Sequence, residues 1–116
     1  MTVDMADRYS LYYPVPQHAV LRLPADMVYP QNAFLRELLN QFRQNGDLKL
    51  ITVDFINCQF MDSSTIGMFI AFLRRVERND LRIRIINVSQ HLLEIFEVIR
   101  MNSLFQHLEI LGDEGD

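Results

Sequence analysis

Apolar residues recur along much of the chain at the three- and four-residue spacing of an amphipathic helix. The first such stripe comprises Phe34, Leu35, Leu38, Leu39 and Phe42. A second comprises Ile66, Phe69, Ile70, Leu73 and Val76, and a third Leu92, Leu93, Ile95, Phe96 and Ile99. Pro30 suits the first turn of the first helix, and Asn45-Gly46 suits its end. The pattern predicts three helices, of which the second ends at Asn79-Asp80 and the third is capped by Ser89.

Five shorter segments have the composition and alternation of β-strands. They are Tyr9–Tyr13, Ala19–Leu23, Leu48–Ile56, Leu81–Ile86 and His107–Leu111. The segment 48–56 becomes almost continuously apolar, which is typical of a central strand that is covered on both faces. The resulting order, β-β-α-β-α-β-α-β, predicts an α/β domain with helices packed on a mixed, mostly parallel sheet.

The length of the chain and its lack of internal linkers fit one domain. The 116 residues contain no repeat, no low-complexity run and no linker rich in proline or glycine. We therefore expect a single domain over residues 1–116, with an ordered core of about residues 9–111 and a short acidic tail at 112–116.

Charge and metal-binding residue types argue against several function classes. The formal net charge is −4 and the basic residues are scattered, so no basic stripe for nucleic acid is expected. Cys58 is the single cysteine, which excludes an internal disulfide and a multi-cysteine metal site. His18, His91 and His107 lack the spacing of metal ligands, and we interpret them as surface or edge residues. The sequence predicts neither a metal nor a cofactor.

The apolar segments are too short for direct membrane insertion. The longest, Ile66–Leu73, has eight residues, whereas a bilayer-spanning helix needs about 20. The start of the chain carries Asp4 and Asp7 and lacks the charged-then-apolar pattern of a secretion signal. We therefore expect a soluble, cytoplasmic domain.

The start of the second predicted helix contains the candidate chemistry. Asp62, Ser63, Ser64 and Thr65 place four hydroxyl or carboxylate groups in succession there. One interpretation is capping, because such oxygens accept hydrogen bonds from the free N–H groups of a first helical turn. The other is phosphorylation, because a phosphate at this position meets the positive end of the helix dipole. Spacing alone leaves both interpretations open.

The sequence around this cluster resembles a known family. The stretch Leu48–Gly67, LKLITVDFINCQFMDSSTIG, is similar to the core of the STAS domain, which occurs in sulphate-transporter regulatory domains and in bacterial anti-sigma factor antagonists. The shared pattern is a hydrophobic strand ending in aspartate, a short loop, and an Asp-Ser-Ser motif that opens a helix. The segment Glu97–Phe105 also resembles the family's third helix and following turn. The resemblance extends over roughly residues 9–111.

The resemblance implies a phosphorylatable antagonist in a partner-switching system. Its unphosphorylated form would bind a serine kinase of the histidine-kinase-like ATPase superfamily that also acts as an anti-sigma factor. Phosphorylation would release that partner, and a PP2C-type phosphatase would restore the hydroxyl. The implied acceptor is Ser63, with Ser64 and Thr65 as alternatives. The implied partner-binding residues are Asp26, Met61, Asp62, Ser63, Ser64, Thr65 and Met68.

Two positions depart from the family pattern. Thr65 stands where the family usually has glycine or alanine, so its β-branched side chain is expected to crowd a partner or kinase. The segment Ala25–Val28 stands where the family often reads Gly-Glu-[Leu/Ile]-Asp, which leaves Asp26 to supply part of that surface.

Two alternative functions were also considered for this chain. In the first, the chain is a constitutive, non-switching subunit of a transporter or stress-sensing complex, and the serines only cap a helix. In the second, the chain is an enzyme, which the sequence disfavours because no acid, base and nucleophile converge on one loop.

Overall fold

The computed structural model describes residues 3–5, 9–77 and 80–112, and it alternates strands with helices. The strands are β1 (Val3–Met5), β2 (Tyr9–Val15), β3 (His18–Arg22), β4 (Asp26–Met27), β5 (Leu50–Asp54), β6 (Phe60–Met61), β7 (Arg82–Val88) and β8 (Leu108–Gly112). The helices are α1 (Ala33–Gln44), α2 (Ser63–Arg75), α3 (Gln90–Val98) and α4 (Met101–Leu104). Of the predicted acidic tail, Gly112 belongs to β8, and residues 113–116 lie outside the described residues.

Six strands form one mixed sheet in the order β1-β2-β3-β5-β7-β8. The pairs β1–β2 and β2–β3 are antiparallel, whereas β3–β5, β5–β7 and β7–β8 are parallel. Parallel neighbours need a long crossover connection, and α1 and α2 lie within two of these connections. The arrangement confirms the predicted α/β class and the mixed, mostly parallel sheet.

The core lies between one face of the sheet and the apolar faces of the helices. Two rows of buried apolar residues on this face align in parallel register: Ala19 with Ile51 and Ile83, and Leu21 with Val53 and Ile85. The helices add Leu35, Leu38, Leu39 and Phe42 from α1, Phe69, Phe72 and Leu73 from α2, and Leu92 and Phe96 from α3. In α2 the buried face is rotated from the predicted stripe, because Thr65 and Phe72 are buried while Ile66 and Ile70 are only half-buried.

Two element boundaries differ from the prediction for local reasons. Helix α1 begins at Ala33, after a turn that contains the cis Tyr29–Pro30 peptide bond, so Pro30 precedes the helix. The strand predicted to reach Ile56 ends at Asp54. The carboxylate of Asp54 accepts a hydrogen bond from the backbone N–H of Ile56 at 2.9 Å, which stabilises a turn directly after the strand.

Four short elements, β1, β4, β6 and α4, have no counterpart among the predicted ones. Each has two to four residues, which is too short to produce a recognisable periodicity. Helix α2 ends at Arg75, and Asn79, where its end is predicted, lies outside the described residues. None of the helices in the described ranges combines the length and apolar composition needed to cross a membrane.

Asp54 joins the carboxyl ends of three neighbouring strands. Its side chain is buried, and Oδ2 accepts a hydrogen bond at 3.2 Å from Nε of Arg22 in β3 and forms an ion pair with Nη2 of the same arginine at 3.1 Å. Oδ1 accepts a hydrogen bond at 2.9 Å from the amide of Asn87 in β7. Asn87 has a φ of 60°, a left-handed conformation that asparagine tolerates. These bonds fix the edge of the sheet from which the chain continues to α2.

Candidate functional site

The two-residue strands β4 and β6 position the start of α2. They pair in parallel register, with Asp26 opposite Phe60 and Met27 opposite Met61. The backbone N–H of Asp62 donates to the carbonyl oxygen of Met27 at 3.1 Å, which extends the pairing to the residue before the helix. Both methionines are buried, so apolar contacts with the core hold this small sheet in place.

Asp62 is the N-cap of α2, and its carboxylate is fully engaged. Oδ1 accepts hydrogen bonds from the backbone N–H of Thr65 and the hydroxyl of Ser64, both at 2.9 Å. Oδ2 accepts a hydrogen bond at 2.9 Å from the backbone N–H of Tyr29. The hydrogen bonds from the Tyr29 and Thr65 backbones hold the pKa of Asp62 well below its ordinary value. The group is therefore a fixed anion and a poor proton acceptor.

Thr65 points into the protein. It is fully buried, and its hydroxyl lies 2.8 Å from both the carbonyl oxygen of Met27 and Oδ1 of Asp62. The same hydroxyl accepts a hydrogen bond at 2.8 Å from the amide of Asn32, which also donates to the hydroxyl of Ser64 at 2.9 Å. The β-branched side chain that was expected to crowd a partner instead joins the start of α2 to the residue before α1.

Ser63 differs from its three neighbours in the cluster. It is the first residue of α2, it is exposed, and its hydroxyl makes no hydrogen bond to any described residue. Asp62 caps the helix, and the hydroxyl of Ser64 is held between Asp62 and Asn32. Capping therefore accounts for the other members of the cluster and leaves Ser63 without a structural role.

Two exposed aromatic side chains lie on segments that adjoin this cluster. Tyr29, whose N–H binds Asp62, is 74% exposed, and Phe60, two residues before Asp62, is 47% exposed. Exposed aromatic residues are typical of protein-binding surfaces. Neither exposed side chain was predicted from the sequence, although the strand alternation of Phe60 with the buried Met61 is consistent with an exposed Phe60.

The sequence itself assigns the family. The sequence model of the STAS domain matches residues 12–111. The chain belongs to the STAS domain family. This membership confirms the resemblance found in the Asp-Ser-Ser motif, and it agrees with the order of strands and helices.

Relatives of this STAS domain include named sigma-factor regulators. An anti-sigma-B factor antagonist of Staphylococcus aureus is 33% identical over 70 residues, which are 60% of this chain and 64% of that protein. The corresponding antagonist of Staphylococcus epidermidis is 30% identical over 70 residues. The match with this chain thus spans 64% of the length of these curated relatives.

Solved structures show the same fold at low sequence identity. The Bacillus cell fate determinant SpoIIAA in its phosphorylated form has a TM-score of 0.69 at 20% identity, covering 91% of this chain and 93% of that chain. An anti-sigma-factor antagonist domain protein from Planctomyces limnophilus has a TM-score of 0.73 at 14% identity, covering 90% of each chain. At these identities the likeness establishes a common fold.

The structure corrects two of the predicted partner-binding residues. Met61 is 4% exposed and Thr65 is 0% exposed, so neither side chain is available to a partner. For the same reason the hydroxyl of Thr65 is not accessible to a kinase. Asp26 and Ser64 are exposed and Met68 is half-buried, and their contact with a partner stays a prediction.

His107 is buried, which corrects its interpretation as a surface or edge residue. It is 6% exposed, and neither ring nitrogen has a hydrogen-bond partner among the described residues. Burial lowers the pKa of its imidazole; the negative charge of Glu77 and the backbone of Leu73 oppose this effect, and the positive charge of Arg82 reinforces it. The neutral ring packs edge-on against Phe105.

Cys58 is a buried thiol with little nucleophilic character. Burial raises the pKa of its thiol to about 11, the Phe60 backbone opposes this rise, and the negative charge of Asp26 adds to it. Within the described ranges, no cluster of three or more histidine, cysteine or acidic side chains is arranged to hold a metal ion.

Proposed function

We propose that this STAS domain is an anti-sigma factor antagonist whose binding is switched by phosphorylation of Ser63. In its unphosphorylated form it binds a serine kinase of the histidine-kinase-like ATPase superfamily, which also acts as an anti-sigma factor. The observation that carries the proposal is the free, exposed hydroxyl of Ser63, in a cluster whose other oxygens are hydrogen-bonded. The names of the curated relatives, anti-sigma-B factor antagonists, support the same role.

The chain acts in this proposal as a substrate and binding module, and the kinase supplies the catalysis. The oxygen of Ser63 attacks the γ-phosphorus of ATP, the bond from that phosphorus to ADP breaks, and the hydroxyl proton leaves to a base of the kinase or to solvent. The fixed carboxylate of Asp62 takes no proton in this step, because its pKa is held low. Hydrolysis by a PP2C-type phosphatase returns the hydroxyl.

Phosphorylation changes the surface while leaving the cap of α2 intact. The phosphate adds roughly −1.5 to −2 charges at a helix N-terminus, where the helix dipole favours it. Because Asp62, Ser64 and Thr65 already complete the cap, no hydrogen bond among the described residues is lost. The new charge lies beside the carboxylate of Asp62, so a partner that tolerates one negative charge there meets two neighbouring anionic groups and is released.

Phosphate transfer is tested by intact-mass measurement after incubation with ATP and a serine kinase of this superfamily from the same genome. We expect one phosphate on the unmodified protein and none on Ser63→Ala, while Ser64→Ala still accepts one. Addition that persists in Ser63→Ala assigns a different acceptor. No addition, with the kinase active on another substrate, favours the constitutive subunit of a transporter or stress-sensing complex.

Partner release is tested with the same kinase by measuring binding of charge variants. Ser63→Asp is expected to weaken binding by about tenfold or more, because it places like charges together at the contact. Ser63→Ala retains binding. Ser103→Asp, which adds the same charge at an exposed position of α4, is the matched control and leaves binding unchanged. Equal effects of the two aspartate variants contradict the proposed switch.

A further inference from the structure

A groove runs along the junction of α1 and α2, with a volume of about 340 Å³. Its apolar part is formed by Leu39 of α1 and by Met68 and Phe72 of α2. Leu39 and Phe72 belong to the core and are buried, whereas Met68 is half-buried and accessible from outside. The groove therefore has an apolar floor that is continuous with the core of the domain.

Three arginines line the same groove. Arg36 and Arg43 come from α1 and Arg75 from α2, and all three are exposed. No aspartate or glutamate is among the lining residues, and none of the three arginines forms an ion pair with another described residue. This concentration of positive charge lies on a chain whose net charge is −4.

Helix stabilisation explains only part of this arrangement. Arg43 and Arg75 lie in the last turns of their helices, where a positive side chain interacts favourably with the helix dipole. Arg36 lies near the start of α1, where the dipole disfavours a positive charge. Arg36 nevertheless precedes Asn40 by four residues and Arg43 by seven residues. This spacing places Arg36, Asn40 and Arg43 on one face of the helix.

We propose that this groove binds an acidic, amphipathic segment of the protein partner. Apolar side chains of such a segment fit the floor formed by Leu39, Met68 and Phe72, and its carboxylates pair with the arginines along the rim. An unbranched methionine suits such a surface because it adapts its shape to different contacts. Charge complementarity selects the acidic class of partner, since the groove lining carries only positive formal charges.

The groove begins beside the proposed phosphorylation site, so the inference rests on and deepens the proposed function. Ser64 is one of its lining residues, and Ser63 directly precedes it. A phosphate on Ser63 adds negative charge at this end of the groove. It repels an acidic segment and competes with that segment for Arg36, which gives the release step a defined electrostatic cause.

A pair of synthetic helical peptides tests the charge class of the occupant. One peptide carries leucines at helical spacing with glutamates on both flanks, and the other has lysines in place of the glutamates. We expect the acidic peptide to bind, to shift the methyl NMR signals of Met68 and Leu39, and to bind more weakly as salt is raised. The proposal is overturned if the two peptides bind equally well, and also if neither peptide binds. So does displacement of the acidic peptide by inorganic phosphate at comparable concentration, which assigns a small-anion site.

Adjacent arginines provide a matched pair of charge-reversal variants. Arg75→Glu changes the groove lining, whereas Arg74→Glu makes the same charge change at the next exposed position of α2, outside the lining. Reversing one exposed charge in a complementary pair is expected to weaken binding of the acidic peptide about five- to tenfold. Arg74→Glu is expected to change it less than about twofold. Equal losses in the two variants contradict a groove-specific contact.

The same variants separate failure of the groove from failure of the switch. If the kinase binds and phosphorylates Ser63 but Arg75→Glu and Arg74→Glu bind it equally, the groove proposal is wrong and the switch stands. If the acidic peptide occupies the groove and phosphorylated Ser63 leaves kinase binding unchanged, the switch is wrong and the groove stands.

Discussion

The side-chain amide of Asn32 donates to the hydroxyl of Thr65 at 2.8 Å, and both side chains are buried. These residues are 33 positions apart in the chain. Their hydrogen bond joins the start of α1 to the start of α2, and the neighbouring bond from Asn32 to Ser64 reinforces it. The bond therefore fixes the relative position of α1 and α2, whose junction forms the groove lined by Arg36, Arg43 and Arg75.

We predict that Asn32 and Thr65 are energetically coupled. Asn32→Ala removes the two hydrogen bonds that the amide donates, and Thr65→Val removes those of a buried hydroxyl. Each variant is expected to lower the free energy of unfolding by about 1–3 kcal/mol. The double variant is expected to lose less than the sum, by about 1 kcal/mol or more. Urea unfolding of the four proteins measures this coupling, and strictly additive losses contradict it.

We predict that the exposed aromatic pair contributes to partner binding. Tyr29→Ser and Phe60→Ser remove large side chains that are 74% and 47% exposed, so little folding energy is lost. Each is expected to weaken binding of the kinase about fivefold or more, as aromatic contact residues commonly do. Val98→Ser on α3, where the side chain is 82% exposed, is the control and is expected to have no effect. Unchanged binding in both aromatic variants excludes this surface.

His107 is predicted to make the fold less stable in mild acid. Burial lowers the pKa of its imidazole in the folded state below the ordinary value of 6.5, so the unfolded chain binds more protons. Its contribution to the free energy of unfolding is complete above pH 6.5 and is lost as the pH falls through the folded-state pKa. Burial also lowers the pKa of His18, with the positive charge of Arg84 adding to the effect, so His18 contributes in the same direction.

The histidine contribution is measured by urea unfolding between pH 7.5 and 5 for three proteins. His107→Leu is expected to lose less stability than the unmodified protein over this range. His18→Gln retains His107, so it is expected to retain the decrease in the free energy of unfolding that His107 causes as the pH falls. Parallel pH profiles for His107→Leu and the unmodified protein contradict the assignment.

The thiol of Cys58 is predicted to be unreactive while the protein is folded. Its side chain is 1% exposed, and burial raises its pKa to about 11, so both access and thiolate content are low near pH 8. Labelling with a chromogenic disulfide reagent is expected to be slow without urea and fast in unfolding concentrations of urea. Cys58→Ala with Ser103→Cys places a thiol at an exposed position and serves as the fast-reacting control. Rapid labelling of native Cys58 contradicts the prediction.

Hydrophobic periodicity was sufficient to predict the class of fold. The helical stripes beginning at Phe34, Ile66 and Leu92 correspond to α1, α2 and α3, and the order of elements implied the mixed, mostly parallel sheet. These features follow from contacts that repeat every two or three to four residues, and such repeats are visible in a linear sequence. The Asp-Ser-Ser motif likewise located the candidate site at the start of α2.

The longer helices and strands, the family and the position of the hydroxyl cluster could all be predicted from the amino-acid sequence. Which member of the cluster has a free hydroxyl could be established only from the folded structure. By residue type alone Ser63, Ser64 and Thr65 are alike, because each is a hydroxyl residue at a helix start, and Ser63 was preferred through the family resemblance. Thr65 is occupied by Asn32 and lies near the Met27 carbonyl oxygen, both more than 30 positions away. Only folding brings these partners together, and only then do their hydrogen bonds and burial distinguish the three hydroxyls.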